Sequence, residues 1–245
     1  MKSWAFSFII LLVSLNACAP EPVFRLTPKA PQTTFYHGTE YVHILKDSLR
    51  LTIAYYRHVD DAFIMDVELV NKRDSTIRIG PRDFWYNAYR VYAQNVPFDS
   101  TYFLAHAVAY SPQRKMLSID MEMSRERAQE DTEDLLYGIG LGLSVAAEVA
   151  ANDPQQEEEI EEDRQRSYIN RQIDNEAFRY RQMSLARQRE MWEQQTLRKT
   201  DLLPGESMQG LIFFKTQPEA FGYAIHFEGA GSHFKVYYSQ FRFEP

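Results

Sequence analysis

Cysteine is nearly absent from this sequence, because Cys18 is the only one among 245 residues. Without a second cysteine the chain cannot form an internal disulfide, and the part beyond Cys18 offers no thiolate to a metal ion. Basic charge is also scarce: 27 Lys and Arg face 34 Asp and Glu, a formal net charge of −7, and no basic block occurs. We therefore expect no nucleic-acid partner and no electrostatic docking on anionic lipid.

The motifs of common catalytic sites are missing as well. No G-x-S-x-G occurs, and the six histidines form neither an H-x-x-x-H nor an H-E-x-x-H pair. The glycines of residues 138–143 lack the spacing of a dinucleotide-binding loop and the lysine of a phosphate loop. This predicts a protein that is not an enzyme and holds no cofactor, with no catalytic, cofactor-binding or metal-ligating residue.

Two local clusters leave other interpretations open. His58 lies close to Asp60 and Asp61, for which a surface turn is the simpler interpretation. Copper could be bound by three methionines, Met116, Met121 and Met123. The simpler interpretation is that they fill gaps in the core at a strand–helix junction. A site assembled from different strands also stays open, because spacing along the chain does not show proximity in space.

The first 18 residues are typical of an export signal. Lys2 precedes an apolar run from Trp4 to Leu15, which is well short of the roughly 20 residues that span a bilayer as a helix. Ala17 supplies a small residue immediately before Cys18, as signal cleavage sites require. An ordinary signal peptide that happens to end beside a cysteine is the alternative interpretation.

Residues 15–18, Leu-Asn-Ala-Cys, resemble the lipobox of bacterial lipoproteins, although Asn16 is more polar than the usual residue there. The resemblance implies that residues 1–17 are removed as a signal peptide. It also implies that Cys18 is acylated, for example with palmitate, and becomes the new N-terminus. We therefore expect a protein anchored by lipid to a membrane of the bacterial cell envelope, namely the outer membrane.

Strand patterns fill two separate parts of the chain. Residues 18–40 hold four prolines and little periodicity, which predicts a tether. Residues 41–117 alternate apolar and polar side chains, as in Phe63, Met65 and Val67 against Asp66, and residues 199–245 do so again. Eight or nine short strands separated by turns predict an antiparallel β-sandwich built from both parts.

Two segments of these parts resemble a known class of domain. Residues 67–84 resemble the central hairpin of immunoglobulin-like domains in secreted bacterial proteins. Residues 202–214 resemble the proline-glycine-glutamate turn and the strand that follow later in such domains. The resemblance implies an immunoglobulin-like sandwich and no particular activity, because such domains share a scaffold rather than a function.

Residues 118–198 change to a helical pattern and interrupt the sandwich. A first helix is predicted from about residue 121 to 151, and a second from Pro154, preceded by the cap Asp153, to Gln195. The simplest arrangement is an antiparallel hairpin. The second helix is densely charged and has a sparse apolar row, for which a solvated face is the simpler interpretation. Its later arginines oppose an acidic start, which would instead suit an arm that pairs with another protein or another copy. The row is Ile169, Ile173, Ala177 or Phe178, Tyr180 and Met191, and the arginines are Arg179, Arg181, Arg187 and Arg189.

A stripe of small residues recurs every four positions in the first helix: Gly138, Gly142, Ala146 and Ala150. Glycine costs about 1 kcal/mol in a helix interior, so the stripe requires a compensating contact. Three occupants are possible: the second helix of the same hairpin, a protein partner or second copy, or the bilayer surface. Close packing within the hairpin is the simplest of these.

These features together predict a non-catalytic envelope lipoprotein that acts as a structural or interaction module. Its contact surface would be the helical hairpin, and its partners would be the membrane, through the lipid, and a protein or a second copy. The alternative is an envelope lipoprotein that binds a small ligand or a metal through Trp85, Tyr86 and Tyr89 at a sandwich edge. A hydrolase with a site assembled across strands is a third hypothesis.

Overall fold

A computed structural model of the chain describes residues 22–59, 61–90, 102–150 and 154–243. The described residues form two compact units. One consists of the residues up to Tyr110 together with those from Leu197 onward, and it is built of antiparallel β-sheets. The other, Ser111–Thr196, is made of two long helices. The predicted helical insertion into a β body is therefore confirmed.

The β unit contains two five-stranded sheets and a two-stranded ribbon. The strand orders are β1-β12-β11-β7-β8 in the first sheet and β10-β5-β4-β3-β2 in the second, and β6 pairs with β9 in the ribbon. A short 3-10 helix, Pro81–Asp83, precedes β7. The strands are β1 (Val23–Pro28), β2 (Thr33–Tyr36), β3 (Thr39–Lys46), β4 (Leu49–Val59), β5 (Ala62–Asn71), β6 (Ile77–Ile79), β7 (Phe84–Tyr89), β8 (Phe103–Val108), β9 (Thr200–Leu202), β10 (Ser207–Lys215), β11 (Gly222–Gly229) and β12 (Ser232–Phe243).

Apolar side chains from both five-stranded sheets share one core. Phe63 of β5 is fully buried, and its ring centroid lies 4.7 Å from that of Tyr223 on β11 and 5.6 Å from that of Tyr86 on β7. Side chains on a strand alternate between two faces, so the core-facing set of β5 recurs at every second residue, although Ala62 and Ile64 on the other face are buried as well. The predicted inward face of Phe63, Met65, Val67 and Leu69 is confirmed.

The hydroxyl of Tyr223 fixes the turn that leads into β11. It accepts a hydrogen bond from the backbone N–H of Gln217 at 3.0 Å and donates to the carbonyl oxygen of the same residue at 3.1 Å. Burial raises the pKa of this phenol well above its usual range. The neutral hydroxyl therefore stays available as both donor and acceptor in the core.

The prediction of a tether over residues 18–40 is wrong where the structure describes them. Residues 23–28 pair with β12 as strand β1, and residues 33–36 pair with β3 as strand β2. Leu26 is 3% exposed and belongs to the core. The prolines of this segment predicted a tether, but Pro28 lies at the end of an edge strand. Proline is tolerated there, because no ladder partner needs the N–H that it lacks.

The helical unit consists of α1 (Pro112–Ala150) and α2 (Pro154–Gln194). Their ion pairs establish an antiparallel register, since Glu148 pairs with Arg164 near the junction and Asp120 pairs with Arg189 toward the other end. Residues 112–117, predicted as part of the β body, are helical instead. Proline is favourable at the first position of a helix, so Pro112 marks a start that the apolar pattern did not reveal.

Polar groups occupy the middle of the seam between the helices. Arg171 of α2 binds three α1 carboxylates: its guanidinium lies 2.7 Å from Glu130 and 3.5 Å from Glu133, and it also contacts Asp134. Among the described residues of the two helices, the large apolar side chains that are buried are Ile119, Leu185 and Trp192. In the apolar row of α2, Ile169, Ile173 and Tyr180 are each more than half exposed, as expected for a solvated face. Ala177, Phe178 and Met191 are partly buried.

Candidate functional site

An uncharged segment of α1, residues 135–147, carries large apolar side chains that point to solvent. Asp134 precedes it and Glu148 follows it in the sequence. The exposed fractions in and beside this segment are 65% for Leu135, 61% for Leu136, 53% for Ile139, 66% for Leu143, 49% for Val145 and 83% for Val149. We call this set, with the small residues between them, the apolar face of α1.

The predicted stripe of small residues lies on this apolar face. Gly138, Gly142 and Ala146 are exposed, and the side chain of Ala150 lies outside the described residues. A Cβ atom added at Gly138 or Gly142 would meet nothing within 4 Å, so none of the α2 atoms that the structure describes lies close to them. The interpretation of the stripe as close packing against the second helix is therefore wrong.

Charged contacts explain why the apolar face turns outward. The residues of α1 that face α2 near this segment include Glu148, whose carboxylate lies 2.6 Å from the guanidinium of Arg164, and Asp134, which binds Arg171. These ion pairs fix the rotation of α1 about its own axis. Leu135, Leu143 and their neighbours are therefore directed away from the seam.

The second helix also leaves apolar side chains in solvent at the level of the apolar face of α1. The antiparallel register set by the ion pairs brings Ile169 and Ile173 of α2 level with Leu135 and Leu136 of α1. Their exposed fractions are 56% and 59%. Ile169 and Ile173 stand two residues either side of Arg171, whose side chain enters the seam, so they point away from α1 and form no continuous patch with its apolar face. Exposed apolar patches such as the apolar face of α1 mark contact sites in soluble proteins.

The basic end predicted for α2 is largely used within the hairpin. The guanidinium of Arg181 lies 2.7 Å from Glu126, and that of Arg189 lies 2.7 Å from Asp120 and 2.8 Å from Glu193. These carboxylates cancel much of the charge that pairing between copies would require. The apolar face is therefore a better candidate for a contact surface than the charge asymmetry of α2.

The three aromatic residues predicted to line a ligand site are not brought together. Tyr86 is fully buried in the core, where its hydroxyl donates to the carbonyl of Lys215 at 2.8 Å, and Tyr89 is 8% exposed. Trp85 points to the other side of the sheet and stacks on His226, with ring centroids 3.7 Å apart and planes 6° apart. Alternation along β7 separates Trp85 from Tyr86, because successive side chains lie on opposite faces.

Histidines extend the stack that Trp85 begins. His226 Nδ1 lies 2.9 Å from Nε2 of His233, and the two rings are parallel within 7°. His106 of β8 lies beside Trp85 with its centroid 5.1 Å away. Among the described residues, no group of three or more His, Cys, Asp or Glu side chains is placed to hold a metal ion. Sequence spacing could not reveal this array, because its members come from four strands.

Two cavities lie along the β1 side of the β unit. One, of about 310 Å³, is lined by all of β1 and by residues of β2, β3 and β4, including Phe35, Glu40 and Tyr56. The other, of about 300 Å³, lies between residues 29–32 and the middle of β12. Neither is lined by Trp85, Tyr86 or Tyr89.

The remaining predicted clusters have structural roles where they are described. His58 is half-buried, with Nδ1 2.8 Å from the hydroxyl of Tyr55 and its ring near Phe24 and Phe63, and burial lowers its pKa to about 4. Asp60 lies outside the described residues. The methionines lie within α1 rather than at a strand–helix junction: Met116 and Met123 are partly buried, and Met121 is half exposed.

No protein-family model, curated protein or solved structure matches this chain. No helix within the described ranges is both long enough and apolar enough to cross a membrane. Cys18 and the rest of the lipobox lie outside the described residues. The apolar face of α1 is the functional candidate that the geometry adds to the sequence.

Proposed function

We propose that this protein is a non-catalytic lipoprotein of the bacterial cell envelope, attached through Cys18, whose helical hairpin binds another protein or a second copy of the chain. The observation that carries the contact role is the apolar face of α1. Its leucines, isoleucine and valines are largely exposed beside glycines that leave open space.

The physical case for a partner rests on the free energy of these exposed groups. Burying a leucine or isoleucine side chain contributes roughly 1.5–3 kcal/mol, and α1 leaves several of them in water. Each glycine of the stripe also destabilises the helix by about 1 kcal/mol relative to alanine. A helix that approaches Gly138 and Gly142 closely would bury the surrounding side chains, as small-residue faces allow.

We also propose that the β unit is an immunoglobulin-like sandwich. Its strands β5 and β10 pair in one sheet while β7, β11 and β12 are neighbours in the other, which is the arrangement of strands B, E, C, F and G in such domains. The hydroxyl of Tyr223 at the start of β11 reaches back to the backbone of Gln217, as the tyrosine corner of that fold does.

Palmitate labelling tests the anchor. We expect the wild-type protein to incorporate label and to remain with the membrane fraction, and Cys18→Ala to do neither. Because Cys18 is the only cysteine, no other thiol can take its place. Equal labelling of the two proteins would contradict the proposed attachment.

Affinity capture from detergent-solubilised envelopes tests the contact role. Gly142→Leu fills open space and should leave the hairpin intact while blocking close approach of a partner. Ala128→Leu, at an exposed position in the charged part of the same helix, is the matched control. We expect Gly142→Leu to lose a partner, or self-association measured by light scattering, that the control retains. Identical behaviour of the two variants would contradict the proposal.

The Trp85–His226–His233 stack favours small-ligand or metal binding as the second candidate function. In a Trp192→Phe background, where Trp85 is the one tryptophan of residues 18–245, indole fluorescence would report a ligand directly, since Trp85 lies against His226. Zn²⁺, Cu²⁺ and simple sugars should quench the Trp85 signal, and His233→Phe should abolish the response. An unchanged signal with all three would remove this candidate.

A further inference from the structure

The β unit has an aromatic end and a polar end. At one end, the side chains of six apolar or aromatic residues are each about half exposed or more: Val23, Phe35, Tyr36, Tyr56, Phe241 and Phe243. The other end, formed by the β3–β4 and β11–β12 turns, is closed by polar contacts such as Ser232 Oγ to Asp47 Oδ2 at 3.0 Å. Among the described residues near this polar end, the large apolar side chains that are exposed are Leu45 and Leu203.

Strand pairing places the aromatic residues together. Val23 at the start of β1 pairs with Phe243 at the end of β12, and Phe241 is two residues away on the same strand. Val23, Phe35 and Tyr56 line the same cavity, so the β2–β3 turn and the end of β4 lie beside β1 there. The exposed Phe221 continues this end, since its N–H donates to the carbonyl of Tyr89 at 2.9 Å.

Arginines are interspersed among these aromatic side chains. Arg25 pairs with Phe241 across the β1–β12 ladder, and the guanidinium carbon of Arg57 lies 5.2 Å from the ring centroid of Tyr56. Aromatic rings concentrate at the boundary between lipid headgroups and acyl chains. Arginine suits the same boundary, because its stem packs on apolar surface while its charge stays hydrated.

The chain length before β1 restricts where a membrane can lie. Strand β1 begins at Val23, five residues after Cys18. A fully extended chain spans at most about 3.5 Å per residue, so Val23 lies within roughly 17 Å of the acylated cysteine. Strand β12 has 12 residues and at ~3.3 Å per residue extends about 36 Å, which puts the polar end beyond that reach.

We propose that the aromatic end of the β unit is a membrane-contact surface that rests on the bilayer in which Cys18 is anchored. This proposal rests on the proposed lipid attachment. The acyl chains hold the protein at the membrane, and Val23, Tyr36, Phe243 and their neighbours enter the headgroup region. The short link then orients the β unit as well as retaining it.

Depth-dependent quenching tests this proposal on the full acylated protein. Because Cys18 carries the lipid, an introduced cysteine is the sole free thiol and accepts an NBD label. Phe243→Cys and Tyr36→Cys report the aromatic end, while Glu228→Cys and Leu203→Cys are exposed controls at the polar end. The probe is a vesicle of phosphatidylethanolamine and phosphatidylglycerol that contains doxyl-labelled phosphatidylcholine.

We expect NBD at positions 243 and 36 to shift to the blue and to be quenched, and NBD at positions 228 and 203 to remain as in water. Equal quenching at both ends, or none at either, overturns the membrane-contact surface. Flotation of the same samples separates the two proposals. Protein that floats without quenching at the aromatic end retains the anchor and overturns only this inference, whereas acylation-competent protein that fails to float contradicts the anchor itself.

Discussion

The β unit and the helical hairpin distribute their apolar side chains in opposite ways. In the β unit the largest side chains, such as Phe63, Tyr86 and Phe214, are fully buried and form one core. In the hairpin the middle of the seam holds Arg171 and its carboxylates, while Leu135 and Leu143 face solvent. The β unit therefore buries its large apolar side chains in its own core, whereas the hairpin leaves its most apolar surface exposed and available for contact.

The two regions therefore differ in what stabilises them. A sheet with an apolar face gains stability when a second sheet covers that face. Two helices can instead be held by a few ion pairs and a small apolar base, here Ile119, Leu185 and Trp192. Such a pair keeps its apolar face available, which is the property expected of a contact element.

The largest effect is expected from opening the core of the β unit. Phe63→Ala removes a fully buried ring that contacts Tyr86, Phe214 and Tyr223, and should lower the free energy of unfolding by about 3–5 kcal/mol. Urea denaturation followed by near-ultraviolet circular dichroism measures it. Phe243→Ala, at an exposed position, should change stability by less than about 0.5 kcal/mol. Similar losses in the two variants would contradict the described core.

The next effect is expected in the hairpin seam. Arg171→Ala leaves the 8%-exposed Glu130 beside Glu133 and Asp134 without its cation, so the helical signal at 222 nm should melt at a clearly lower temperature. Arg171→Met combined with Glu130→Leu should recover the loss, because it replaces charges by apolar side chains. If Arg171→Ala melted at the same temperature as the wild type, the ion network around Arg171 would not stabilise the hairpin.

A smaller effect is expected from pH. Burial lowers the pKa of His58 to about 4 from its ordinary 6.5, so the folded chain resists a proton that the unfolded chain accepts. The contribution of His58 to stability is therefore complete above pH 6.5 and is lost as the pH falls toward 4. Subtracting the free energy of unfolding of His58→Phe from that of the wild type at each pH isolates this contribution. A difference that stays constant between pH 4 and 6.5 would contradict the prediction.

The smallest effect on stability is expected at the stripe itself. Gly142→Leu places a side chain in open space and replaces a poor helix former by a good one, so the hairpin should gain up to about 1 kcal/mol. Thermal melting at 222 nm measures the change. A loss of stability would mean that α2 or another part of the chain packs against Gly142.

The sequence predicts the β unit better than the hairpin, for a physical reason. The residues that face the core recur at every second position along β4 and β5 and are apolar, so Leu51 and Val67 reveal their strands. β1 was missed because Pro28 and Pro31 resemble a linker, although an edge strand tolerates them. The seam of the hairpin was not predictable in the same way, because its middle is held by Arg171 and its carboxylates rather than by a row of apolar side chains.

The candidate site was only half predictable. The four-residue spacing of Gly138, Gly142 and Ala146 locates a stripe, but spacing alone does not say which way it faces. Its direction depends on the ion pairs of Glu148 and Asp134 with α2, which join residues far apart in sequence. The stack of Trp85 on His226 likewise follows from strand register, which sequence alone does not provide.

Site-specific photo-crosslinking in living cells tests the proposed contact role most directly. A photoreactive phenylalanine derivative would replace Leu143 on the apolar face or Asp131 on the charged part of the same helix, where both side chains are exposed. We predict a discrete crosslinked product from position 143, to a protein or to a second copy of the chain, and none from position 131. No product at 143, or the same product from both positions, would contradict the apolar face of α1 as a contact surface.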